Sequence, residues 1–438
     1  MGKKIGIGLL GLGTVGAGVA NIIQNPNGRN PLVAEIELVR VAVRDINRPR
    51  AASISSSLLT QNPLEVVDDP SVDVVVEVMG GIEPARTLIK RAIAAGKSVV
   101  TANKAVIARH GEEISAAANA AGVYVLIEAA VGGGIPIIEP LKQSLGGNKI
   151  NKVSGIINGT TNFILSRITK EGASYSDVLK EAQKLGYAES DPAADVEGFD
   201  AADKIAILSG LAFGGPINRE SIPVQGISGL NNLDVDYAKK LGYGVKLLAV
   251  AERLEKQNID LKSIPLAVWV QPTLVPEDHP LAGVNGVNNA ILVEGDPIGK
   301  VMFYGPGAGA GPTASAVVAD ILNIAGIRTI ETTTNHLDPL LAANRWRNCH
   351  VVEPSDIIQK HYLRLRTEDS PGVIGRIGSV FGSNGVSIQS IVQFDSNEAG
   401  AEIVVITHEV KKGQITSSLN SIKTLAGVKG LSAEMVCI

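Results

Sequence analysis

Short apolar runs alternate with segments of helical periodicity over the first 136 residues. Strands are predicted at residues 4–10, 36–43, 73–79, 98–100 and 123–127, and one of the intervening helices at residues 83–95. Apolar strands that alternate with helices are typical of a parallel sheet with helices on both faces. The pattern therefore predicts an α/β unit of the Rossmann type.

A glycine-rich turn joins the first strand to a helix predicted to run to about Gln24. It has the spacing G-x-G-x-x-G. The first glycine allows a tight turn, the second lets backbone N–H groups approach a pyrophosphate, and the third lets the helix pack on the strand. We expect a dinucleotide to bind here, at Gly11, Gly13, Thr14, Val15 and Gly16.

Two charged residues, Arg44 and Asp45, follow the second strand. The residue at this point usually contacts the adenosine ribose, where an acid selects NAD and a guanidinium suits the 2′-phosphate of NADP. Arg44 therefore favours NADP. A shift of one residue would place Asp45 at the ribose and favour NAD, and a solvated charge pair after a strand is the plain alternative.

Two further motifs follow strands of the same unit. Thr101-Ala102-Asn103-Lys104 stands at a carboxyl strand end, where ligands bind in doubly wound sheets, although an exposed lysine is as common there. Glu128 precedes three glycines at 132–134, which allow another backbone or a cofactor to approach closely. A carboxylate beside exposed carbonyls also suits a hard cation.

The pattern changes after residue 136. A strand at 150–157 ends in the polar turn 158–162, which suits either a polar substrate or a helix cap. Later strands are predicted at 246–252, 264–270, 290–294 and 300–304, in an antiparallel-rich sheet. The glycine-rich loop 305–312 precedes a helix starting near Thr313.

The stretch 186–204 concentrates six carboxylates and one lysine. Gly186, Pro192 and Gly198 exclude a regular helix from its first part, whereas residues 199–213 predict a largely buried helix. Asp200 and Lys204 are four residues apart and so share one helix face. They form either an ordinary i,i+4 salt bridge or a proton donor beside a site for a small cationic or hydroxylated ligand.

Residues 361–438 follow a charged connector at 351–360. Strands at 362–366, 386–393, 402–408 and 431–436 and helices at 372–383 and 413–425 give the order βαββαβ, which is ferredoxin-like. This block carries none of the motifs above. We expect truncation after about Lys360 to leave a folded, active enzyme that has lost regulation.

Composition narrows the partners. The 438 residues carry a net charge of −4, so nucleic acid and anionic membranes are poor partners, and small molecules are better ones. Cys349 and Cys437 lack paired spacing, which indicates neither a disulfide framework nor a thiolate metal site and fits the reducing cytoplasm. No secretory pattern and no run of about 18 apolar residues is present.

Several motifs, in this order and spacing, resemble the homoserine dehydrogenase family over residues 1 to about 345: GLGTVG, TANK, EAAVGGGIP, NGTTN, GYAESDPAADVEGFDAADK and YGPGAGAGPTA. The C-terminal block, with Asp369-Ser370-Pro371-Gly372 before its first helix, is similar to an ACT domain. The resemblance implies a Rossmann domain at 1–136 completed by about 305–345, a catalytic and dimerisation domain at 137–304, and an ACT domain at 361–438.

The resemblance also implies a reaction and a site. The reaction is the NAD(P)-dependent interconversion of L-homoserine and L-aspartate 4-semialdehyde, with Lys204 as proton donor. The implied sites consist of catalytic Lys204 and Asp200; substrate contacts at Glu189, Asp200, Asp195, Thr160 and Gly186; cofactor contacts at Thr101, Lys104, Gly186, Glu189 and Gly305; and sodium ligands from Glu128, Val131, Gly133 and Ile135.

The ACT resemblance suggests threonine as effector, near residues 384–388, on a homodimer or homotetramer. Two rival functions are kept. An acylating semialdehyde dehydrogenase would need a cysteine nucleophile, and neither Cys349 nor Cys437 is well placed. A regulatory protein that only senses nucleotide and amino acid would need no proton donor beside the cofactor.

Overall fold

The N-terminal unit contains one six-stranded parallel sheet. The computed structural model describes residues 4–50, 54–254, 263–331, 348–397 and 400–438. The elements of this unit are β1 (Ile5–Leu10), α1 (Thr14–Gln24), β2 (Ile36–Ala42), β3 (Leu59–Thr60), α2 (Leu64–Val67), β4 (Val74–Glu77), α3 (Ala85–Ala94), β5 (Ser98–Thr101), α4 (Lys104–Ala121) and β6 (Val125–Leu126), with 3₁₀ turns at Pro31–Glu35 and Ser56–Leu58.

Each face of this sheet carries its own apolar core. Val74 and Val76 pack on one face and Val75 on the other, because successive side chains of a strand alternate between faces. Strands buried on both faces need continuous apolar runs, and the run Val74-Val75-Val76 supplies one. The strand order, β3-β2-β1-β4-β5-β6, is that of a doubly wound dinucleotide-binding sheet, so the predicted fold class is confirmed.

The second unit builds its helices on an antiparallel sheet, as predicted, and its four later strands are longer than the apolar runs suggested. Its elements are α5 (Ile138–Lys142), β7 (Lys149–Ile156), α6 (Gly159–Glu171), α7 (Tyr175–Lys184), α8 (Ala193–Val196), α9 (Phe199–Phe213), α10 (Asn232–Lys240), β8 (Tyr243–Arg253), β9 (Ser263–Pro276), β10 (Asn288–Asp296) and β11 (Gly299–Pro306), with 3₁₀ turns at Glu128–Ala130 and Arg219–Ser221.

The chain then returns to the N-terminal unit through helix α11 (Ala310–Glu331). This helix shares an apolar core with α1, and a Cβ added at Gly18 would lie 2.6 Å from the Ala310 carbonyl oxygen. By length and composition α11 could cross a membrane, but half of its apolar window is buried in the protein, as in a core helix. Residues 332–345 of the predicted completing segment lie outside the described residues.

The C-terminal unit has the predicted βαββαβ order. Its elements are β12 (Asn348–Val351), β13 (Ile358–Thr367), α12 (Val373–Ser383), β14 (Ile388–Asn397), β15 (Gly400–Thr407), β16 (Val410–Lys411), α13 (Lys412–Ile422) and β17 (Val428–Cys437), with a 3₁₀ turn at Pro354–Asp356. The strand order β17-β13-β15-β14 is ferredoxin-like.

This unit is not the separate block that the sequence suggested. Strand β17 pairs in parallel with β9, so one 11-stranded sheet runs through both units. Strand β12 ends at Val351, the first residue of the expected connector, and also pairs with β9. Tyr362 and Met435 belong to the same apolar core as the catalytic helices, and buried Arg364 donates to Asp234 of α10 at 2.7 Å. Truncation near Lys360 would open this core.

Candidate active site

The glycine turn has the geometry that dinucleotide binding requires. Gly11 has φ of 103°, and its N–H donates to the Ala42 carbonyl at 3.0 Å. A Cβ at Gly16 would lie 2.2 Å from the Gly11 carbonyl oxygen, whereas a Cβ at Gly13 would meet nothing within 4 Å. The turn is closed on the protein side and open at Gly13. Thr14 and Val15 begin α1, whose first N–H groups are available to an anion.

Arg44 and Asp45 are both exposed beyond the end of β2. Asp45 Oδ1 accepts a hydrogen bond from the Asn47 N–H at 2.9 Å, so this carboxylate stabilises its own turn. The Arg44 carbonyl accepts from Gln61 Nε2 at 3.0 Å, which fixes the backbone. Among the described residues the Arg44 guanidinium has no hydrogen bond or ion pair and is available to a ligand.

Helix α9 starts at the predicted residue and brings Asp200 and Lys204 together. Lys204 Nζ donates to Asp200 Oδ2 and to the Ile157 carbonyl, both at 2.7 Å, and Lys104 Nζ lies 2.9 Å from Asp200 Oδ1. Asp200 and Lys204 are both buried. The structure therefore places one carboxylate between two ammonium groups that come from different units.

This arrangement fixes the charge of Asp200. Burial opposes ionisation, but the charges of Lys204 and Lys104 and a hydrogen bond from Asn158 outweigh it and hold the pKa of Asp200 well below its usual value. The charge of Asp200 in turn raises the pKa of Lys104 against the effect of burial. The carboxylate thus stays ionised and holds both lysines.

Asn158, which was only part of a predicted polar turn, proves central. Its Nδ2 donates to Asp195 Oδ1 at 2.7 Å and to Asp200 Oδ2 at 3.0 Å, while its Oδ1 accepts the Thr161 N–H at 2.9 Å. It is thus both a helix cap and a link between two carboxylates. Thr160 Oγ1 lies 3.2 Å from Asp195 Oδ2. The sequence feature that indicated a role for Asn158 was its position in Asn-Gly-Thr-Thr at the end of a strand.

Burial raises the pKa of Asp195, opposed by the hydrogen bond from Asn158 and reinforced by the charge of Asp200. A cationic group bound beside Asp195 would favour its ionised form. The site therefore offers a half-buried carboxylate next to the Asp200 and Lys204 pair, which suits a ligand that carries both an ammonium and a hydroxyl group.

The other predicted contacts differ in exposure. Gly186 and Glu189 lie on an exposed turn after α7, where Gln183 Nε2 donates to the Glu189 carbonyl at 3.1 Å. Thr101 is fully buried, and its hydroxyl donates to Glu77 Oε2 at 2.6 Å. That side chain is occupied within the protein. Gly305 is half-buried in β11.

A buried carboxylate that the sequence analysis did not select holds the two units together. Asp203 Oδ1 accepts from Arg219 Nε at 2.6 Å, and Arg109 Nη1 of α4 lies 3.1 Å from the same oxygen. Lys104 starts α4, and Asp200 lies on α9 beside Asp203. The contact therefore fixes the helix that carries Lys104 against the helix that carries Asp200.

The predicted sodium residues surround a buried turn. Glu128 accepts N–H bonds from Ile137, Ile138 and Glu139 at 2.7, 2.9 and 2.8 Å. Burial raises the pKa of Glu128, and these three bonds oppose the rise. A Cβ at Gly133 would lie 2.4 Å from the Gly307 carbonyl, so the glycine run packs against the loop before α11. Val131, Gly133 and Ile135 are buried in this turn.

Neither rival function gains support from the site. Burial raises the pKa of the Cys437 thiol to about 12, which disfavours the thiolate that an acylating enzyme needs, and Cys437 lies in β17. A protein that only senses ligands would gain nothing from a buried lysine bonded to a carboxylate at the carboxyl end of β7. The fold and the site together define a nicotinamide-dependent oxidoreductase.

Comparison with known proteins names the family. Family models match three stretches: "Homoserine dehydrogenase, NAD binding domain" at residues 11–128, "Homoserine dehydrogenase" at 136–322 and "ACT domain" at 361–427. A homoserine dehydrogenase from Synechocystis sp. is 54% identical over 97% of each chain. A crystal structure of a homoserine dehydrogenase from Thiobacillus denitrificans superposes with a TM-score of 0.90 at 43% identity, covering 100% of this chain and 98% of that chain.

A hyperthermophilic archaeal homoserine dehydrogenase, solved in complex with NADPH, matches with a TM-score of 0.61 and 28% identity over 74% of this chain and 98% of that chain. The present chain therefore belongs to the homoserine dehydrogenase family and carries a C-terminal ACT domain. Members of this family are oxidoreductases that interconvert L-homoserine and L-aspartate 4-semialdehyde in the biosynthesis of threonine, methionine and isoleucine.

Proposed function

We propose that Lys204 and Asp200 are the catalytic pair of homoserine oxidation and of its reverse: Lys204 exchanges the proton, and ionised Asp200 holds the Lys204 ammonium in place. A bound nicotinamide cofactor supplies the hydride exchange with C4 of the substrate. In aldehyde reduction the Lys204 ammonium gives a proton to the oxygen on C4, and in homoserine oxidation the neutral amine takes it back. The observation that carries this proposal is the buried contact of Lys204 Nζ with Asp200 at 2.7 Å.

We assign the orientation of the substrate to residues that lie near Asp200. Asp195 is half-buried and bonded to Asn158 and Thr160, which suits it to receive the substrate ammonium. Gly186 and Glu189 on the neighbouring turn complete this side of the site, where the exposed carboxylate of Glu189 can reach either substrate or cofactor. Thr101, Lys104 and Gly305 are assigned to the cofactor side.

We assign NADP as the preferred cofactor because the Arg44 guanidinium is available while Asp45 is engaged in its own turn. A charge-assisted contact of this kind is worth about 1.5–3 kcal/mol, which is about tenfold or more in affinity. Arg44→Ala should therefore weaken NADP binding by at least about tenfold and change NAD binding little, as measured by fluorescence titration of both cofactors. Equal weakening would contradict the assignment and turn attention to Asp45.

A sodium ion at Glu128 with carbonyls of Val131, Gly133 and Ile135 is also part of this proposal. Concentrated negative charge supports it: carboxylate oxygens of Glu128, Glu139 and Asp320 lie within 4.8 Å of one another. Asp320 Oδ1 is buried and has no hydrogen-bond partner among the described residues. Sodium chloride should raise the Tm above its value in choline chloride at equal ionic strength, and equal values would contradict the site.

The remaining assignments concern the whole protein: domains at 1–136 (completed by about 305–345), 137–304 and 361–438, a cytoplasmic location, and a homodimer or homotetramer. A cavity of about 400 Å³ at the Asp369-Ser370-Pro371-Gly372 loop supports an amino-acid effector, for which threonine is the first candidate. Residues 384–388, expected to contact it, follow α12 in the same unit. Sedimentation with and without threonine would test assembly and effector together.

A further inference from the structure

A cavity of about 400 Å³ lies at the seam between the catalytic and C-terminal units, where β9 and β17 separate. The two strands pair only at Val436 and Cys437. The preceding residues of β17 and the loop after Pro223 both line the space that opens beside this pairing. We call this space the seam cavity. The residues that matter here are Glu197, Gln225, Gln271, Lys412, Ser432 and Glu434.

The seam cavity presents polar groups that lack partners. Gln271 is 8% exposed, and its side-chain amide makes no hydrogen bond to any described residue. The Lys412 ammonium and the Ser432 hydroxyl are both half-buried and likewise make no hydrogen bond within the described ranges, although the charge of Lys412 acts on Glu434. The Gln271 amide is therefore free to donate and accept hydrogen bonds with a polar ligand that enters the cavity.

The charges of the lining identify the class of ligand. Lys412 contributes a positive charge to the lining, and Glu197 contributes a negative charge together with Glu434, whose Oε1 also lies 3.6 Å from His361 Nδ1. A ligand with both a carboxylate and an ammonium group can pair with both, and the amide of Gln271 and the hydroxyl of Ser432 suit a polar side chain. One lysine facing two acids disfavours a nucleotide or another polyanion.

Backbone hydrogen bonds also connect the segments that line the seam cavity to the stretch that carries Asp195. Glu197 directly follows α8, which carries Asp195, and the Ile227 N–H donates to the Val196 carbonyl at 2.8 Å. The Gln225 N–H donates to the Val270 carbonyl at 2.8 Å, which ties the same loop to β9. One wall therefore belongs to the stretch that holds Asp195 and the opposite wall to the last strand of the ACT unit.

We propose that the seam cavity binds a free α-amino acid and that its occupancy alters the position of Asp195. The proposal deepens the effector role proposed above and rests on it, but it names a different site from the loop at Asp369. Binding shifts the enzyme between states only if the amino acid contacts the two walls differently in each state. A ligand that spans Lys412 and Glu197 meets this condition when the walls move apart.

The test is isothermal titration of the full-length protein with L-threonine, L-isoleucine and L-methionine. The variants Gln271→Leu and Lys412→Met remove the amide and the ammonium. Lys411→Met is the matched control, because this neighbouring lysine is exposed and pairs with Asp356. Asp369→Asn controls for the other cavity. Homoserine oxidation without added amino acid is measured for every variant. This control distinguishes a loss of the proposed enzymatic activity from a loss of amino-acid binding in the seam cavity.

We expect at least one amino acid to bind in the seam cavity, about tenfold or more weakly in Lys412→Met and several-fold more weakly in Gln271→Leu, with Lys411→Met like the wild type. Asp369→Asn should keep this seam binding, because it alters only the other cavity. Lys412→Met keeps the test valid if the buried substitution Gln271→Leu impairs folding. Binding that is lost in Asp369→Asn but unchanged in the two seam variants would overturn the proposal and leave the effector at the other cavity. Absence of binding by all three amino acids would overturn it as well.

Discussion

Asp200 shows how one buried carboxylate can stay ionised. Burial alone would favour its neutral form, yet two lysines and an asparagine amide contact its oxygens and reverse the balance. Because the pKa of the folded state lies below that of the unfolded state, ionised Asp200 stabilises the fold above about pH 4, and this stabilisation is lost as the pH falls through the folded pKa.

Lys246 on β8 presents the opposite case. Its ammonium is buried and bonded only to neutral oxygens, among them the Val284 carbonyl at 2.5 Å. Burial, with help from the charge of Lys170, lowers its pKa from 10.5 to about 8. Between these values the unfolded state binds the extra proton, so the charged lysine destabilises the fold at neutral pH and the penalty is relieved as the pH rises.

We therefore expect Lys246→Met to be pH-dependent in its effect. Measured by urea unfolding, the stability of the wild type relative to the variant should increase by up to about 3 kcal/mol between about pH 7 and about pH 10. Lys180→Met, which replaces an exposed lysine of α7, is the control. A stability difference that stays constant over this pH range would contradict the lowered pKa.

The residues that sequence reasoning could select were those with a local signal. Asp200 and Lys204 share one helix face, and their spacing alone predicted their contact. Asp203 and Asn158 gained their roles from partners far along the chain: Asp203 binds Arg109, and Asn158 binds Asp195. Composition and local spacing do not predict contacts between residues that are distant in the sequence, so these roles could be recognised only in the folded structure.

At the scale of elements, two glycines of the turn between β1 and α1 serve different purposes: Gly16 allows close packing within the protein, and Gly13 leaves space for the cofactor. A side chain at Gly16 would meet the Gly11 carbonyl, whereas one at Gly13 would enter open space. We expect Gly13→Ala to keep the stability of the wild type within about 1 kcal/mol while weakening the cofactor, because the added methyl occupies the approach to the helix N-terminus.

Gly16→Ala should instead lower stability itself, by about 1–3 kcal/mol, because the added methyl overpacks the turn. Thermal unfolding and fluorescence titration of NADPH on the two variants measure the contrast directly. Equal loss of stability in both variants would show that Gly13 is also packed from inside and would contradict an open pyrophosphate site.

Elements with clear boundary signals were predicted well. Helix α9 has the predicted bounds because its apolar residues cover most of its circumference between Gly198 and Gly214. Strand β6 is much shorter than its apolar run, since only Val125 and Leu126 pair with β5. Helix α11 starts at Ala310 rather than Thr313, because packing against Gly18 extends it into the glycine loop. Local sequence patterns do not predict the ends of helices and strands when tertiary contacts determine those ends.

At the scale of the whole molecule, the ACT unit is fused to the catalytic sheet. The buried pair Arg364 and Asp234 crosses this boundary at 2.7 Å, and Tyr362 OH donates to the same carboxylate at 3.2 Å. The sequence could give the βαββαβ order but not this fusion, because pairing of β17 with β9 joins residues far apart in the chain. A chain that ends near residue 360 should therefore lose stability as well as regulation.

A substitution at the boundary tests this fusion. Arg364→Met leaves the Asp234 carboxylate buried without its charged partner and should lower the free energy of unfolding by about 3–5 kcal/mol. The double variant with Asp234→Leu removes both charges and should recover most of that loss. Urea unfolding that shows no effect of Arg364→Met, or a separate transition for the C-terminal unit, would contradict the continuous sheet.

We propose that Lys204, held by Asp200, exchanges the proton when homoserine is oxidised. The most direct measurement is the initial rate of NADPH formation from L-homoserine and NADP⁺, followed by absorbance for the wild type, Lys204→Met and the exposed control Lys180→Met. We predict that Lys204→Met folds, binds cofactor and loses about 100-fold or more in kcat, while the control is unaffected. Near-native kcat in folded Lys204→Met would contradict the account.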